Sequence, residues 1–168
     1  NKMCEAVLIP EKSRTTVCLS TQIGCAQKCS FCATGKMGLL RNLSHEEIVA
    51  QLLCVKIWSH NHKDIFKNTT KPWTEIKNIV FMGMGEPLDN YENLAEAIKV
   101  FSDPWGFNLA PKKITVSTVG HLPGLKKILD FSIPISLAIS IHAANDKLRS
   151  KIMPINRKYP LSELIEII

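Results

Sequence analysis

Three cysteines stand in one short stretch, Cys25-Ala-Gln-Lys-Cys29-Ser-Phe-Cys32, a C-x3-C-x2-C arrangement. On a loop of that length three thiolates converge on one metal centre, which scattered cysteines cannot do. Structural zinc is normally closed by four ligands, and no fourth Cys or His sits at zinc-finger spacing. Three thiolates leave one coordination position open. The spacing therefore fits an iron–sulfur cluster with one reactive iron better than it fits zinc or structural thiols. Cys4, Cys18 and Cys54 have no framework spacing, and disulfides are not expected in a cytosolic chain. Cys54, among Leu52, Leu53 and Val55, reads as core, and Cys4 has no assignment.

Other polar groups gather at the ends of apolar runs. Gly83-Met-Gly-Glu-Pro87 follows Lys77-Asn-Ile-Val-Phe-Met82, and its two glycines suit close approach of a ligand to the backbone. A tight strand-to-helix turn is the plainer reading. Ser117, Ser140 and His142 stand near the ends of two later strands, as a polar lining or, for His142, as a satisfied core residue. Cys18 shares strand parity with Ser20 just ahead of the cysteine loop. Most free cysteines are small buried hydrophobes, and that reading stands beside a chemical one. Glu5, ahead of Ala6-Val-Leu-Ile-Pro10, is unremarkable by residue type.

These groups must be positioned by a repeating rhythm of strand, loop and helix. Thr15–Ser20 alternates as a strand. Ser44-His-Glu-Glu47 is a capping box opening a helix with an Ile48, Leu52, Val55 stripe. Residues 59–70 read as a connecting loop, and residues 77–82 as the second strand. Asp89 or Asn90 caps a helix with the stripe Leu94, Ile98 and Phe101. Lys113–Thr118 is the third strand, a short helix carries Leu122, Leu125, Ile128 and Leu129, and Ile133–His142 is the fourth strand. Four βα units in series argue for a parallel sheet.

Side-chain parity chooses between architectures. Ile135, Leu137, Ile139 and Ile141 share one face, opposite Ser136, Ala138, Ser140 and His142. Ile114 and Val116 likewise oppose Thr115 and Ser117, and Val17 and Leu19 oppose Thr16, Cys18 and Ser20. A sheet covered by helices on both faces is apolar on both. One small, polar face predicts an α/β fold of partial (βα) barrel type, with a polar ligand held at the C-terminal strand ends.

Composition is that of a globular domain: 168 residues, 45% hydrophobic and 21% charged. The longest nearly apolar stretch, Ile133–Ile141, falls far short of the roughly 20 residues that span a bilayer. No leader pattern opens the chain, and a cytoplasmic protein is expected. The net charge of +6 and pI ≈ 9.0 are compatible with a polyanionic partner. Lys147, Arg149, Lys151, Arg157 and Lys158 form the one dense basic run, either a solvated face or a phosphate contact. The chain opens without Met, and its last residues, 161–168, read as an interrupted amphipathic helix. A piece of a longer protein is expected.

The cysteine spacing, with Phe31 before the last cysteine, resembles the signature of the radical S-adenosylmethionine superfamily. Thr16-Val-Cys-Leu-Ser-Thr-Gln-Ile-Gly-Cys25, Arg41-Asn-Leu43, Gly83-Met-Gly-Glu-Pro87, Ser140-Ile-His-Ala143 and Met153-Pro-Ile-Asn156 narrow this. Together they resemble, nearly end to end, the bacterial RNA adenine-C2 methyltransferases of dual rRNA and tRNA specificity. The resemblance implies a [4Fe–4S] cluster on Cys25, Cys29 and Cys32. S-adenosyl-L-methionine then chelates the fourth iron and is cleaved to a deoxyadenosyl radical. It implies cofactor contacts at Gly85, Glu86, Ser117, Ser140, Ile141 and His142, with Glu86 accepting from the cofactor's amino group.

The same resemblance assigns chemistry to two more residues. Cys18 resolves a protein–RNA adduct formed through a methyl-carrying cysteine, ending in a disulfide with that carrier, and Glu5 is a general base. The implied substrates are an adenosine of the peptidyl-transferase centre in 23S rRNA and the adenosine 3′ of the anticodon in tRNA. An electron donor such as flavodoxin, no membrane and a monomeric state complete the expectation. Residues 1–14 correspond to the end of a lead-in, and 15–168 to the N-terminal part of the catalytic barrel. The carrier cysteine, the later strands, a further cofactor-binding Asn and an N-terminal RNA-binding domain have no counterpart here, so this stretch is expected to hold the cluster without methylating. A C8-methylating sister enzyme and a non-catalytic zinc-binding RNA module are the alternatives, with Gly85-Glu-Pro87 and Ser20-Thr-Gln22 leaning towards C2.

Overall fold

The computed structural model describes residues 3–11, 14–62 and 76–168. Strands β2 (Thr15–Cys18), β5 (Ile76–Phe81), β6 (Ile114–Thr118) and β7 (Ser136–Ile139) lie parallel in that order, and β1 (Val7–Pro10) pairs antiparallel with β2. Cys18 stands opposite Val80, Phe81 opposite Val116 and Thr118 opposite Ile139. A second ladder, β3 (Gln22–Gly24) with β4 (Leu39–Asn42), encloses the cysteine loop and the short α1 (Ala33–Met37). The helices are α2 (His45–Asn61), α3 (Tyr91–Ser102), α4 (Leu122–Leu129), α5 (Asp146–Ile152) and α6 (Leu161–Glu166).

The expected parity holds in β5 and β6 and for Thr16 and Val17 of β2, whereas β7 is half-buried on both faces and Ile141 beyond it is exposed. Val17, Ile79, Phe81, Ile114 and Val116 are buried against Ile48, Leu52, Leu94, Ile98, Phe101, Leu125 and Ile128 from α2, α3 and α4. Thr16, Asn78, Val80, Thr115 and Ser117 on the other face are only half-buried. Four parallel strands with one packed and one polar face form the expected α/β partial barrel. Burial of the packed face supplies its main stabilisation, at about 25 cal/mol per Å² of apolar surface.

Local chemistry sets the element boundaries. The capping box on α2 is complete: the Glu47 N–H donates to Ser44 Oγ at 3.4 Å and the Ser44 N–H to Glu47 Oε2 at 3.0 Å. This helix continues to Asn61, so the loop expected from residue 59 starts later. Ser59 is accommodated because its hydroxyl donates to the Lys56 carbonyl. Residues 63–70 of that expectation lie outside the described residues. Cys54 is exposed rather than core. It follows Ile48 by six residues, and at 100° per residue that places it well away from the buried stripe.

Asn90 occupies the N-cap position of α3, but its side chain donates instead to the carbonyls of Thr21 and Leu43, both at 2.8 Å. The fourth strand is shorter than expected. Pro134 has no N–H, the Ile135 N–H turns back to Ile133, and His142 takes a left-handed φ of 55°. Leu129 ends α4 on its exposed side. Among the described residues no helix is long and apolar enough to cross a membrane.

Candidate cluster and cofactor site

The cysteine loop is clamped at both ends. The Cys25 N–H donates to the Gly38 carbonyl at 3.1 Å and the Cys32 N–H to the Cys29 carbonyl at 3.1 Å. Lys28 turns the loop in a left-handed conformation, and the Ser30 N–H ties it to the Ile152 carbonyl at the end of α5. Cys25 and Cys29 are buried and Cys32 is half-buried. Burial pushes the Cys25 thiol up to about 11, reinforced by the carboxylates of Glu86 and Asp89 and by Cys29. Burial also raises Cys29, with Cys32 adding to the shift. The three thiols are thus electrostatic neighbours, and the buried Cys25 and Cys29 favour their protonated forms until a metal centre displaces the protons.

Among the described residues no three His, Cys, Asp or Glu side chains are gathered tightly enough to grip one metal ion. A four-iron cluster binds each thiolate on a different iron and spaces them more widely. A donor set of three sulfurs on one loop fits such a cluster, with an iron left open, and does not close a zinc site.

The Gly83-Met-Gly-Glu-Pro87 segment packs directly on the end of β2. Thr21 and Gln22 N–H groups both donate to the Met84 carbonyl, and the Met84 N–H donates to Ser20 Oγ at 2.8 Å. A Cβ on Gly83 would lie 2.6 Å from Ser20 Oγ, and one on Gly85, whose φ is +106°, 2.7 Å from the Gln22 side chain. The glycines therefore serve close approach of two strand ends. The Cβ side of each glycine is occupied by this chain's own Ser20 or Gln22.

Glu86 is 2% exposed. Its Oε1 accepts from the Leu88 N–H at 3.2 Å, capping the 3-10 turn Pro87–Asn90, and its Oε2 accepts from the Val119 N–H at 2.9 Å. Burial still outweighs these bonds and one from the Thr118 side chain, pushing the carboxyl up to about 7.

At the other strand ends, Ser117 lies half-buried on the polar face of β6, and the Ser140 N–H extends the β7 ladder to the Thr118 carbonyl at 2.9 Å. Ile141 and His142 are exposed, and the His142 ring lies 4.6 Å from that of Phe31 on the cysteine loop. Cys18, at the end of β2, is 9% exposed; burial raises its thiol, opposed by a hydrogen bond with the Met82 backbone. The Glu5 carboxylate is exposed, but its backbone carbonyl accepts from Ser20 Oγ at 2.6 Å. All six cysteines are free.

Several residues that shape this site carry no motif. Gln27 reaches from the cysteine loop to Asp89 Oδ2 at 2.7 Å, and Gln22 Oε1 accepts from the Glu86 N–H at 2.9 Å. Arg149 departs from the solvated-face reading of the basic run, being 0% exposed. Gln51, whose side-chain amide pairs with the Ser20 backbone, is visible in the sequence as a polar residue within the apolar stripe of α2.

The profile of the Radical SAM superfamily matches residues 19–168, and the chain belongs to that superfamily. More particularly, it is 48% identical over 162 residues to the probable dual-specificity RNA methyltransferase RlmN of Dictyoglomus turgidum, across 96% of this chain and 44% of that protein. It is 49% identical over 165 residues to the dual-specificity RNA methyltransferase RlmN of Buchnera aphidicola, across 98% and 43%. The crystal structure of a radical SAM methyltransferase from Sphaerobacter thermophilus matches with a TM-score of 0.86 at 42% identity, over 96% of this chain and 45% of that one. The chain spans less than half the length of these relatives.

Proposed function

We propose that the whole protein is a radical S-adenosylmethionine-dependent methyltransferase acting on C2 of adenosine in 23S rRNA and in tRNA. The observation that carries this reading is the three-thiol loop, two of its cysteines buried, beside Glu86 and the His142 turn, in a chain nearly half identical to proteins named dual-specificity RNA methyltransferases.

In this reading Cys25, Cys29 and Cys32 hold a [4Fe–4S] cluster, and Gly85, Glu86, Ser117, Ser140, Ile141 and His142 hold S-adenosyl-L-methionine. Together these groups supply low-potential one-electron chemistry when bound. Glu86 orients the cofactor's ammonium: its two oxygens accept the Leu88 and Val119 N–H groups and a bond from the Thr118 side chain, which leaves one acceptor position of about four. Its burial excludes water from that contact. Cys18, on the polar face beside the cysteine loop, is the thiol that resolves the protein–RNA adduct, and Glu5 is the general base. Residues 1–14 end a lead-in and 15–168 begin the catalytic barrel. The protein works as a cytoplasmic monomer supplied with electrons by a flavodoxin-like donor.

The test is anaerobic reconstitution of the full-length protein, incubation with 23S rRNA fragments and tRNA, and mass spectrometry of the digested RNA. 2-Methyladenosine in both RNAs is expected. 8-Methyladenosine in the rRNA would point to the sister activity, and stoichiometric zinc without iron to a non-catalytic module.

A further inference from the structure

Arg149 is the largest fully buried side chain, and none of its hydrogen bonds goes to a carboxylate. Burying a guanidinium is costly unless its donors are satisfied. Here Nε donates to the Ile141 carbonyl at 3.1 Å, Nη2 to the carbonyls of Val119 at 2.6 Å and Ser140 at 3.2 Å, and Nη1 to Asn156 Oδ1 at 2.7 Å. The three carbonyls belong to the segments that leave β6 and β7 at their C-terminal ends. Two of them, at Ser140 and Ile141, precede the left-handed turn at His142. The third belongs to Val119, whose own N–H holds Glu86 Oε2.

Arg149 sits on α5, whose last residue also receives the cysteine loop through the Ser30 N–H. Its charge is felt at Cys29. One planar fork thus gathers both strand ends and, through them, Glu86 and the Phe31–His142 contact. Lysine, a point charge on a flexible stem, cannot reproduce such a fork.

We infer that Arg149 is a positioning residue for the cofactor cradle, fixing the Ser140–His142 turn and the Val119 support of Glu86 in the geometry that binds S-adenosylmethionine. This rests on the function proposed above and adds a residue to that site. Asn156, bonded in turn to Asp146 and Ser150, holds the fork from behind.

The test uses the full-length protein with its cluster reconstituted anaerobically and no RNA present. Equilibrium dialysis measures the Kd for S-adenosylmethionine, and electron paramagnetic resonance follows the change in the reduced cluster's spectrum on adding it. Arg149→Lys keeps the charge and loses the fork. It should retain wild-type iron and bind the cofactor about tenfold more weakly, as expected for losing hydrogen bonds to a charged group, with a diminished spectral change. Phe101→Leu, in the core away from the site, lowers the thermal midpoint and should leave both readouts unchanged.

Wild-type affinity and spectrum in Arg149→Lys would overturn the inference. If Arg149→Lys does not fold, Asn156→Ala reads the same quantities: weakened binding at full iron content supports the role, and unchanged binding overturns it. A wild-type protein that fails to bind S-adenosylmethionine at all would instead overturn the proposed function.

Discussion

The side-chain amide of Gln51 closes a pair of hydrogen bonds on the backbone of Ser20. Its Oε1 accepts from the Ser20 N–H at 2.9 Å and its Nε2 donates to the Ser20 carbonyl at 2.9 Å. Ser20 lies just past the end of β2, where the ladder no longer supplies partners, so α2 supplies them from the side. The same residue's hydroxyl joins Glu5 to Met84. One helix side chain therefore stabilises the point at which the lead-in, the end of β2 and the Gly83–Glu86 segment meet.

Gln51→Ala should therefore cost about 1–3 kcal/mol, because it strands a buried donor and a buried acceptor. Gln51→Leu, which fills the space without pairing either group, should cost as much. Urea denaturation of the apo protein measures both. A midpoint equal to wild type would mean that water replaces the amide without loss.

Two glutamates should give opposite dependences of stability on pH. Glu86 has its folded value raised from 4.5 to about 7, so its contribution is fully present below pH 4.5 and is lost as pH rises through about 7. Each tenfold change in proton affinity corresponds to about 1.4 kcal/mol. Glu86→Gln should flatten this decline. Glu47, paired in two hydrogen bonds with the Arg41 guanidinium, is lowered to about 2, so its contribution is present above pH 4.5 and is lost as pH falls through about 2. That pair is partly exposed, so its effect should be the smaller and should shrink with added salt. Thermal melts of wild type, Glu86→Gln and Glu47→Gln across pH 2–8 separate the two; parallel pH profiles in all three proteins would contradict both assignments.

Cysteine variants should divide into two groups. Cys25→Ala, Cys29→Ala and Cys32→Ala should each lose the cluster, read as iron and sulfide per chain after reconstitution. Cys18→Ala in the full-length protein should keep its iron and accumulate a covalent RNA adduct on denaturing gels. Free methylated RNA from Cys18→Ala at the wild-type rate would return Cys18 to an ordinary buried thiol. Burial raises this thiol, so its reactive thiolate is scarce in the isolated chain, and resolution should accelerate with rising pH.

The sheet was legible because its central strands write two environments into alternate residues. Val17, Ile79, Phe81, Ile114 and Val116 lie on one face as parity requires, and Ser44 with Glu47 marks the start of α2 by chemistry local to one turn. The cysteine loop was legible because its three cysteines lie within eight residues. What escaped depends on contacts distant in sequence. That Gly83 and Gly85 also make room for Ser20 and Gln22 is visible only in the fold. Arg149 differs from the cations around it in having the carbonyls of Val119, Ser140 and Ile141 and the side chain of Asn156 close by, which only the fold brings there. Of the two candidates for the start of α3, Asp89 and Asn90, it is Asn90 that stands there, but its side chain serves Thr21 and Leu43, across the fold.

The order β1-β2-β5-β6-β7 has a consequence for how the protein is made. Each strand of the main sheet lies beside the one of that sheet synthesised just before it, and none is inserted between two neighbours already joined. A chain emerging from the ribosome can therefore lay down its sheet in one direction, every newcomer finding its strand partner already made. The growing margin is always the youngest strand, and the order of translation is the order of the sheet.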